Sequence, residues 1–539
     1  MTEQLIRRAE WLAVLATCVA LSAIAVGWSW RHDAMLNYGD AVAHLHIARR
    51  VFDAHYPSLK QLGSVWLPLP HILLIPFVAI YSWWANGVAG VIPSALAYLA
   101  GCAGVYRLAR NWLGPIAAAL ALLFFAANAN LLYLQTTAMT ESLFLCELIW
   151  SVVWLVEWRL SLESDLRRSR RLLWYIAIVL VAAIFTRYDG WILAFLAWVS
   201  VGIVLLRRGQ LTSRTLWLAS ALVVAAPVTW CVYNAVVFGD WLDFARGPYS
   251  AKAIELRTAT PGSGPPHPGW HDPWVSLIFF VKTAELDATA ATWGSKLLAL
   301  SMLGTAWAWI WERHKAFQWA LLLWLPVPFY AYSIAYGSVP IFLPVWWPHS
   351  WYNTRYGMEM LPAFALSLGF VAQFMLSAVH EFKVSWTKYA ASLLFALTAW
   401  NAWKVFDEQP LTYVESTKNI ESRRPLEEQI PPVLRALLAT RAGGTLLMKT
   451  SVFPQIVALT GIPLRQTINE SDREFYSDAL AAPAQHAAVV LAFAGDDVDR
   501  AVKAHPEGLT LVRRFSFPNQ PAAAVYVSDT SALNKGPVR

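Results

Sequence analysis

A carboxylate and an imidazole that could together handle a proton lie four residues apart in the segment YGDAVAH, as Asp40 and His44. In a helix this spacing puts both side chains on one face, where they could share a ligand, a proton or a metal ion. Asp is also a good helix N-cap, and the pattern leaves both interpretations open. We predict an amphipathic helix that begins at Asp40 and continues through Ala48 to Phe52.

Two further acidic residues stand at predicted turns. Glu141, in the segment AMTES, begins an apolar run, with Thr140 before it as a helix cap. A Glu in the first turn is also what the helix dipole favours. Asp189, in the segment TRYDGW, lies where Arg187 could pair with it at the surface. For both acids, a structural role and a role in a site stay open.

Basic residues near predicted outer helix ends suggest anion binding. Arg355, in the segment YNTRY beside Tyr356, has a planar guanidinium that can bind phosphate oxygens in pairs. The alternative is an Arg that extends its charge to the interface of an aromatic belt. Lys282 and Arg187 are further cationic candidates, and His71 lies in the Pro-rich segment WLPLPH.

The elements that position these residues belong to a membrane protein. Of the 539 residues, 57% are hydrophobic and 14% charged, whereas soluble domains carry about 25% charged residues. A net charge of +7 would suit nucleic acid in a soluble domain, but the basic residues cluster between apolar runs, as orientation signals do. We therefore expect no nucleic-acid partner. The four cysteines lie inside apolar runs, which argues against disulfides or a Cys-ligated metal.

Apolar runs close to the roughly 20 residues that a crossing helix needs predict about eleven spans. They are Trp11–Trp28, Gly87–Tyr106, Pro115–Gln135, Ser142–Trp158, Leu172–Phe185, Trp191–Leu206, Leu216–Phe238, Thr292–Trp311, Phe317–Tyr336, Gly357–Val379 and Tyr389–Phe406. The shorter run Pro68–Trp84 is rich in Pro and ends in a Trp pair, which is interfacial composition. We predict it to be an amphipathic helix half-buried on the outer face.

The positions of the basic clusters support that choice. If Arg7 and Arg8 are cytoplasmic and Pro68–Trp84 does not cross, the later clusters, including Arg313–Lys315, all fall on the cytoplasmic side. The first segment resembles a cleaved signal peptide as well as an anchor, and its length favours the uncleaved anchor. We expect a multi-pass plasma (inner) membrane protein with a cytoplasmic N-terminus. Outer loops 31–86 and 239–291 and the C-terminal tail would be extracytoplasmic.

The composition changes near residue 407 to that of a water-soluble segment. Short apolar runs predict strands, and longer amphipathic runs predict helices between them. The predicted strands are Thr445–Met448, Ala488–Phe493, Leu509–Phe515 and Ala523–Val527, and the predicted helices are Leu426–Thr440 and Asp496–Ala504. We predict a membrane core over 1–406 and a small exterior α/β domain over 407–539.

Several motifs of soluble enzymes are absent from the sequence, which narrows the possible classes of function. The sequence has no Gly-rich phosphate loop, Gly-x-Ser-x-Gly elbow or His-Glu-x-x-His helix. A transporter or lipid flippase with an exterior domain is an alternative to an enzyme. Transporters tend to show internal repeats and spans broken at the midplane, whereas the polar groups of this chain concentrate at one face.

The chain resembles the membrane glycosyltransferases of the C superfamily (GT-C). This group holds protein mannosyltransferases, aminoarabinose transferases and the oligosaccharyltransferase catalytic subunit. The matches are an acid in the first outer loop (Asp40), a Pro-rich outer half-helix (WLPLPH), an acid after the third span (Glu141), and Arg355-Tyr356 before Leu361-Pro362. Their order, and a multi-span core followed by an exterior domain, extend the resemblance over nearly the whole chain.

The resemblance implies a polyprenyl-phosphate sugar donor and a glycan, lipid or protein acceptor on the extracytoplasmic face. It implies that Asp40 is the general base and Glu141 a second acid that orients the acceptor or holds a cation. Arg355 would bind the donor phosphate, with Lys282 and Arg187 as weaker assignments.

We add His44, His71, Tyr356 and Asp189 as substrate-binding candidates. The protein mannosyltransferases have Asp-Glu in the first loop, whereas Ala41 follows Asp40 here. A divalent cation is therefore not favoured, and we expect no cofactor.

Overall fold

We describe the protein from a computed structural model that describes residues 3–210, 213–258, 265–312, 316–441 and 443–529. The basic cluster Arg313–Lys315 lies outside the described residues.

Helices that follow the apolar runs dominate the chain up to residue 407. They are α1 (Glu3–Arg31), α2 (Gly39–Arg50), α3 (Pro68–Val78), α4 (Tyr81–Asn86), α5 (Val88–Ala109), α6 (Pro115–Ala126), α7 (Ala129–Leu134), α8 (Glu141–Ser161), α9 (Leu166–Thr186), α10 (Asp189–Arg207), α11 (Arg214–Phe238), α12 (Asp243–Arg246), α13 (Ala251–Thr258), α14 (Pro273–Ala288), α15 (Gly294–Glu312), α16 (Pro326–Tyr336), α17 (Leu361–Phe382) and α18 (Thr387–Asp407). Short 3-10 segments cover Leu59–Leu62, Phe317–Trp324, Thr354–Met360 and Val384–Trp386.

The C-terminal part combines helices with a sheet. Its helices are α19 (Leu411–Ala439), α20 (Gln455–Thr460), α21 (Glu474–Ala481), α22 (Pro483–His486) and α23 (Asp497–Ala504), and 3-10 segments cover Leu464–Gln466 and Glu470–Asp472. Its strands are β1 (Leu446–Met448), β2 (Thr467–Ile468), β3 (Val489–Phe493), β4 (Leu509–Phe515) and β5 (Ala523–Ser528).

Among the described residues, seven helical segments are long and apolar enough to cross a membrane. They are Arg7–Arg31, Val88–Ala109, Leu166–Thr186, Asp189–Arg207, Arg214–Phe238, Phe317–Tyr336 and Thr354–Phe382. Each of the other predicted spans also coincides with a helix or a pair of helices. One of them, α8, has 21 residues but carries Glu141, Glu147, Glu157 and Arg159. The prediction of a polytopic helical fold is confirmed, and the number of eleven crossings stays a prediction.

The third predicted span is divided in two. Helix α6 ends at Ala126 and α7 begins at Ala129. Between them Asn128 caps α7, because its side chain accepts a hydrogen bond from Leu131 N at 3.0 Å. An Asn cap satisfies a helix N–H that would otherwise be unpaired, so the chain can restart a helix here. The run predicted as one helix over Pro115–Gln135 thus consists of two helices, and its crossing of the membrane stays a prediction.

The described residues divide into two compact units. The first takes its residues from Met1–His32, Ser64–Pro70 and Val91–Glu415. The second takes its residues from Asp33–Gly63, His71–Gly90 and Ser416–Arg539. Segments from residues 31–86, the predicted first outer loop, therefore belong to the same unit as most of the C-terminal tail.

The sheet of the second unit has the order β2-β1-β3-β5-β4. Strands β1, β2 and β3 pair in parallel, and β5 pairs antiparallel with β3 and β4. Its core includes Leu447, Val490, Val498 and Val502. The four predicted strands are confirmed. The two-residue strand β2 was not predicted, because so short a run carries no alternation of apolar and polar residues.

Helix α19 is longer than predicted. It begins at Leu411, well before the predicted start at Leu426, and continues past Pro425, Pro431 and Pro432. Pro disfavours helix interiors, yet this helix continues through three of them. The buried side chains Leu426, Ile430 and Leu434 recur every four residues and give the helix an apolar face.

Candidate functional site

A cluster of buried charged side chains lies in the first unit. We call it the arginine–carboxylate cluster, and it consists of Glu141, Arg187, Asp189, Tyr330, Arg355, Glu359 and Glu415. Ionisable groups at this depth are expensive unless they pair with one another, and they are default candidates for a functional site.

Glu141 joins the two arginines of the cluster. Its Oε1 accepts a hydrogen bond from Arg355 Nε at 3.0 Å and lies 3.6 Å from Arg187 Nη1. Only 2% of Glu141 is exposed. It opens α8 as predicted, and Thr140 occupies the predicted N-cap position, although its side chain makes no capping hydrogen bond.

Arg187 pairs with several side chains of the cluster. Its Nε bonds to Asp189 Oδ2 at 3.0 Å, and its Nη2 donates to Tyr330 Oη at 2.6 Å and lies 3.0 Å from Glu359 Oε1. Tyr330 Oη in turn donates to Glu359 Oε1 at 2.7 Å. The predicted pairing of Arg187 with Asp189 is thus confirmed, but Asp189 is buried rather than at the surface.

A tight turn between α9 and α10 brings Asp189 to the cluster. A Cβ atom at Gly190 would lie 2.2 Å from the Ala183 carbonyl oxygen, which no side chain tolerates. The glycine therefore lets α10 start directly against the end of α9, so that Asp189 follows Arg187 into the cluster.

Arg355 is held by the start of α19. Its Nη1 donates to Glu415 Oε1 at 3.1 Å. Glu415 also accepts from the main-chain N–H groups of Asn353 and Thr354, both at 2.9 Å. One carboxylate thus fixes the backbone that carries Arg355 as well as its guanidinium. The sequence offered no spacing signal for Glu415, which lies 60 positions from Arg355.

Tyr356 packs against both arginines. Each guanidinium carbon lies 5.1 Å from the centre of the Tyr356 ring. The ring also stacks on Tyr330 at 5.2 Å and 27°. Such cation–π contacts stabilise a cation by about 2 kcal/mol or more when desolvated, so the aromatic pair supports the charged state of both arginines.

The charges in the cluster do not cancel. With ordinary ionisation its four carboxylates outnumber its two guanidinium groups. Buried like charges are costly, so this excess of carboxylates needs further cations or hydrogen bonds to stabilise it. An anion such as a phosphate would compete with the carboxylates for the guanidinium groups, because it binds them with the same bidentate geometry.

Asp287, which sequence reasoning missed, is buried at the end of α14. It is 1% exposed, and neither carboxylate oxygen has a hydrogen-bond partner among the described residues. Its carbonyl oxygen accepts from the side-chain amides of Asn128 and Asn130 at 2.8 and 3.0 Å. Burial raises the pKa of Asp287 well above its usual range, and the charges of Glu415 and Glu141 raise it further.

A glycine makes room for this acid. A Cβ atom at Gly357 would lie 2.6 Å from Asp287 Oδ2. Gly357 belongs to the 3-10 segment that carries Arg355 and Glu359.

The spacing of four between Arg355 and Glu359 is a helical signal that could have identified Glu359 from the sequence. Asp287 has no comparable signal in the sequence.

Lys282 pairs with an acid on its own helix. Its Nζ lies 3.2 Å from Glu285 Oε2, three positions further along α14. Among the described contacts, Lys282 pairs with Glu285 and does not join the arginine–carboxylate cluster.

The remaining candidates, Asp40, His44 and His71, belong to the second unit. Helix α2 begins at Gly39 with Tyr38 as N-cap, so the interpretation of Asp40 as N-cap is wrong. The half-buried Asp40 lies in the first turn, and the helix ends at Arg50 rather than at the predicted Phe52.

His44 and His71 form a buried pair. Their Nδ1 and Nε2 atoms, respectively, lie 2.8 Å apart in a hydrogen bond. Burial lowers the pKa of His71 well below its usual value, and the charges of His44 and Arg50 lower it further. One of these two ring nitrogens donates the hydrogen bond and the other accepts it. The sequence predicted both residues as candidates but not their contact, because 27 positions separate them.

The described residues offer no cluster of side chains suited to a metal ion. Within the described ranges, no group of three or more His, Cys, Asp or Glu side chains is arranged to hold a metal ion. The four cysteines are free thiols.

Comparison of the fold with solved structures gives a match over the whole chain. ArnT from Cupriavidus metallidurans bound to undecaprenyl phosphate superposes with a TM-score of 0.57, covering 98% of this chain and 99% of ArnT at 14% identity. The chain has the GT-C fold. The apo form of ArnT matches with a TM-score of 0.51 over 98% of this chain and 100% of ArnT, also at 14% identity.

An archaeal enzyme shares the GT-C fold with this chain. The oligosaccharyltransferase of Archaeoglobus fulgidus matches with a TM-score of 0.50 at 10% identity, over 89% of this chain and 69% of that enzyme. No protein-family model and no curated protein matches the sequence. The resemblance stated from the sequence is confirmed for the fold, and the roles of the individual residues stay predictions.

Proposed function

We propose that the protein transfers a sugar from a polyprenyl-phosphate donor to an acceptor on the extracytoplasmic face of the membrane. The observation that carries the proposal is the match of the GT-C fold over 98% of this chain and 99% of ArnT, whose solved form is bound to undecaprenyl phosphate. The location of the tail and outer loops on the extracytoplasmic face rests on the distribution of basic residues.

In the proposed reaction Asp40 is the general base. It takes the proton of the acceptor hydroxyl while the acceptor oxygen attacks the anomeric carbon of the donor sugar. The new glycosidic C–O bond forms as the bond between that carbon and the lipid phosphate breaks. The products are the glycosylated acceptor, the polyprenyl phosphate and one proton on Asp40.

Arg355 is the proposed ligand of the leaving phosphate. A guanidinium stabilises the negative charge that develops on the phosphate oxygens as the sugar leaves. Arg187 is the second such ligand, since Glu141 bridges the two guanidinium groups. Lys282 is a weaker assignment because it pairs with Glu285.

Glu141 and Glu415 both accept hydrogen bonds from Arg355, so these carboxylates compete with a phosphate for its guanidinium. Glu141 keeps its proposed role as the second acid, which orients the acceptor.

The remaining candidates are proposed to bind the substrates. Asp189 offers carboxylate oxygens for sugar hydroxyls, and Tyr356 offers an aromatic face for a sugar ring. His44 and His71, which hydrogen-bond to each other, are nitrogen donors or acceptors for substrate hydroxyls. The acceptor is a glycan, lipid or protein.

The competing function is a lipid flippase or transporter, and one experiment separates the two. The purified protein is placed in liposomes with a panel of polyprenyl-phosphate sugars that carry an isotope in the sugar. An enzyme splits the donor, so mass spectrometry detects polyprenyl phosphate without sugar. A flippase moves the intact donor between leaflets and leaves its mass unchanged. Movement of intact donor without any cleavage would overturn the proposal.

A further inference from the structure

Helix α2, which carries Asp40, has no side-chain cap of its own. Its N-cap residue Tyr38 makes no capping hydrogen bond through its side chain. The N–H of Gly39 instead donates to Asn419 Oδ1 of α19 at 2.8 Å, from 380 positions away in the sequence. The first N–H groups of a helix need external acceptors. Asn419 supplies one of them from the tail.

A second side chain of α19 holds the residues just before α2. Arg423 Nη2 donates to the carbonyl oxygens of Leu36 and Asn37, both at 2.9 Å. Arg423 is 6% exposed, and its Nη1 donates to Glu427 at 2.7 Å. Hydrogen bonds from a buried charged group are roughly twice as strong as neutral ones. A buried carbonyl left without a partner costs about 1–3 kcal/mol.

The residues of α19 that make these bonds share one face. Asn419, Arg423 and Glu427 follow one another at intervals of four, which stacks them along the helix. Asn419 and Arg423 bind the main chain of Leu36, Asn37 and Gly39, the last of which immediately precedes Asp40. All of these residues lie in the second unit.

We infer that Asn419 and Arg423 are positioning residues for Asp40. They fix the start of α2 and thereby hold the first-turn carboxylate in one place. A general base works only within hydrogen-bond reach of the proton it takes. Displacing a reacting group by about 1 Å can reduce a rate by roughly 100-fold. The inference rests on the proposed function, in which Asp40 is the base, and it makes the tail part of the catalytic apparatus.

The test compares variants that keep or remove each bond. Asn419→Asp keeps an acceptor oxygen for Gly39 N–H, whereas Asn419→Leu removes it at similar size. Arg423→Gln removes the charged donor, and Arg424→Gln, at the exposed neighbouring position, is the matched control. The full-length protein is assayed for donor turnover, and deuterium exchange is measured on peptides covering residues 34–40 and β3.

We expect Asn419→Leu to lower kcat by about tenfold and Arg423→Gln by about 10- to 100-fold, with KM for the donor changed by less than about twofold. Asn419→Asp and Arg424→Gln should retain the rate of the unaltered protein. Exchange of residues 34–40 should rise in Asn419→Leu and Arg423→Gln, while exchange of β3 stays constant. A purely structural role would instead loosen β3 and would not be rescued by Asp.

Two results overturn the inference. One is full kcat in both Asn419→Leu and Arg423→Gln, and the other is a loss in Asn419→Asp equal to that in Asn419→Leu. If the unaltered protein splits no donor, the proposed function fails. The deuterium exchange of residues 34–40 then tests the positioning role on its own. Unchanged protection of residues 34–40 in both variants then refutes the positioning role.

Discussion

Glu141 Oε1 accepts a hydrogen bond from Arg355 Nε at 3.0 Å, although 214 positions separate the two residues. Both side chains are almost fully buried, with 1% and 7% of their area exposed. The same oxygen lies 3.6 Å from Arg187 Nη1. Arg355 and Arg187, the two predicted phosphate ligands, thus both approach one carboxylate oxygen of Glu141, the predicted second acid.

The first prediction concerns the energy of this pair. Arg355→Met should destabilise the protein by about 3–5 kcal/mol, because it removes the cation that pairs with Glu415 and leaves the buried Glu141 with Arg187 alone. Adding Glu141→Gln should restore part of the loss, with a coupling free energy of about 1–3 kcal/mol. A double-mutant cycle on the free energy of unfolding measures it. The exposed pair Lys418–Glu421, at 2.9 Å, is the control and should show coupling below about 1 kcal/mol. Additive losses at Arg355 and Glu141 would contradict the prediction.

The second prediction separates phosphate binding from turnover at Glu141. Glu141→Gln keeps the shape of the side chain but removes a charge that competes with phosphate for Arg355. Affinity for polyprenyl phosphate should therefore rise severalfold, while donor turnover falls by about 10²-fold or more because the second acid is lost. Titration with polyprenyl phosphate, with neutral polyprenol as control, measures the affinity. Weaker binding of the phosphate in Glu141→Gln would argue against Arg355 as its ligand.

The third prediction concerns Asp287 and pH. Because its pKa in the folded protein is raised, the folded state binds more protons than the unfolded state above pH 3.8. The stability contributed by this proton is complete below pH 3.8 and is lost as pH rises toward the folded-state pKa. Asp287→Asn, which mimics the protonated acid, should therefore raise the unfolding temperature by a few degrees at pH 8, and its advantage should shrink toward pH 4.5.

The control for Asp287 is Asp478→Asn at an exposed position. It should shift the unfolding temperature of the protein by less than a degree or so at either pH, since exposed substitutions change stability by about 0.5 kcal/mol or less. If Asp287→Asn lowered the unfolding temperature at pH 8, the carboxylate would have to be charged and bound to a partner.

How far the sequence predicts this fold depends on the range of each signal. The apolar runs locate the membrane helices because hydropathy is a local property. The strands of the C-terminal sheet follow for the same reason. The sequence predicts a helix over Leu426–Thr440, whereas α19 begins at Leu411 and contains three prolines. Packing of its apolar face outweighs the local effect of proline here.

The candidate site was predicted as separate residues and not as an arrangement. Glu141, Arg187, Asp189, Arg355 and Tyr356 stood out because each is polar beside a long apolar run, and the structure brings these five together. Their partners Glu415 and Tyr330 could not be predicted, because their roles depend on contacts between distant segments.

The fourth prediction concerns metal ions. A chelator in excess should leave donor turnover within about twofold of the untreated rate, since the proposed base acts directly on the acceptor hydroxyl. Turnover is measured before and after dialysis against the chelator, and then after Mg²⁺ or Mn²⁺ is restored. Loss of activity that either ion restores would mean that Glu141 serves a cation rather than the acceptor.

The most direct test of the account is the transfer reaction itself, with full-length protein and with Asp40→Asn. Polyprenyl-phosphate sugars and candidate acceptors are supplied together, and mass spectrometry quantifies released polyprenyl phosphate and glycosylated acceptor in the same sample. We predict equal amounts of both products from the unaltered protein and a rate lower by about 10²- to 10⁴-fold in Asp40→Asn, with the unfolding temperature unchanged. Turnover in Asp40→Asn at the unaltered rate would contradict the assignment of the base, and intact donor with every acceptor would contradict the glycosyltransferase itself.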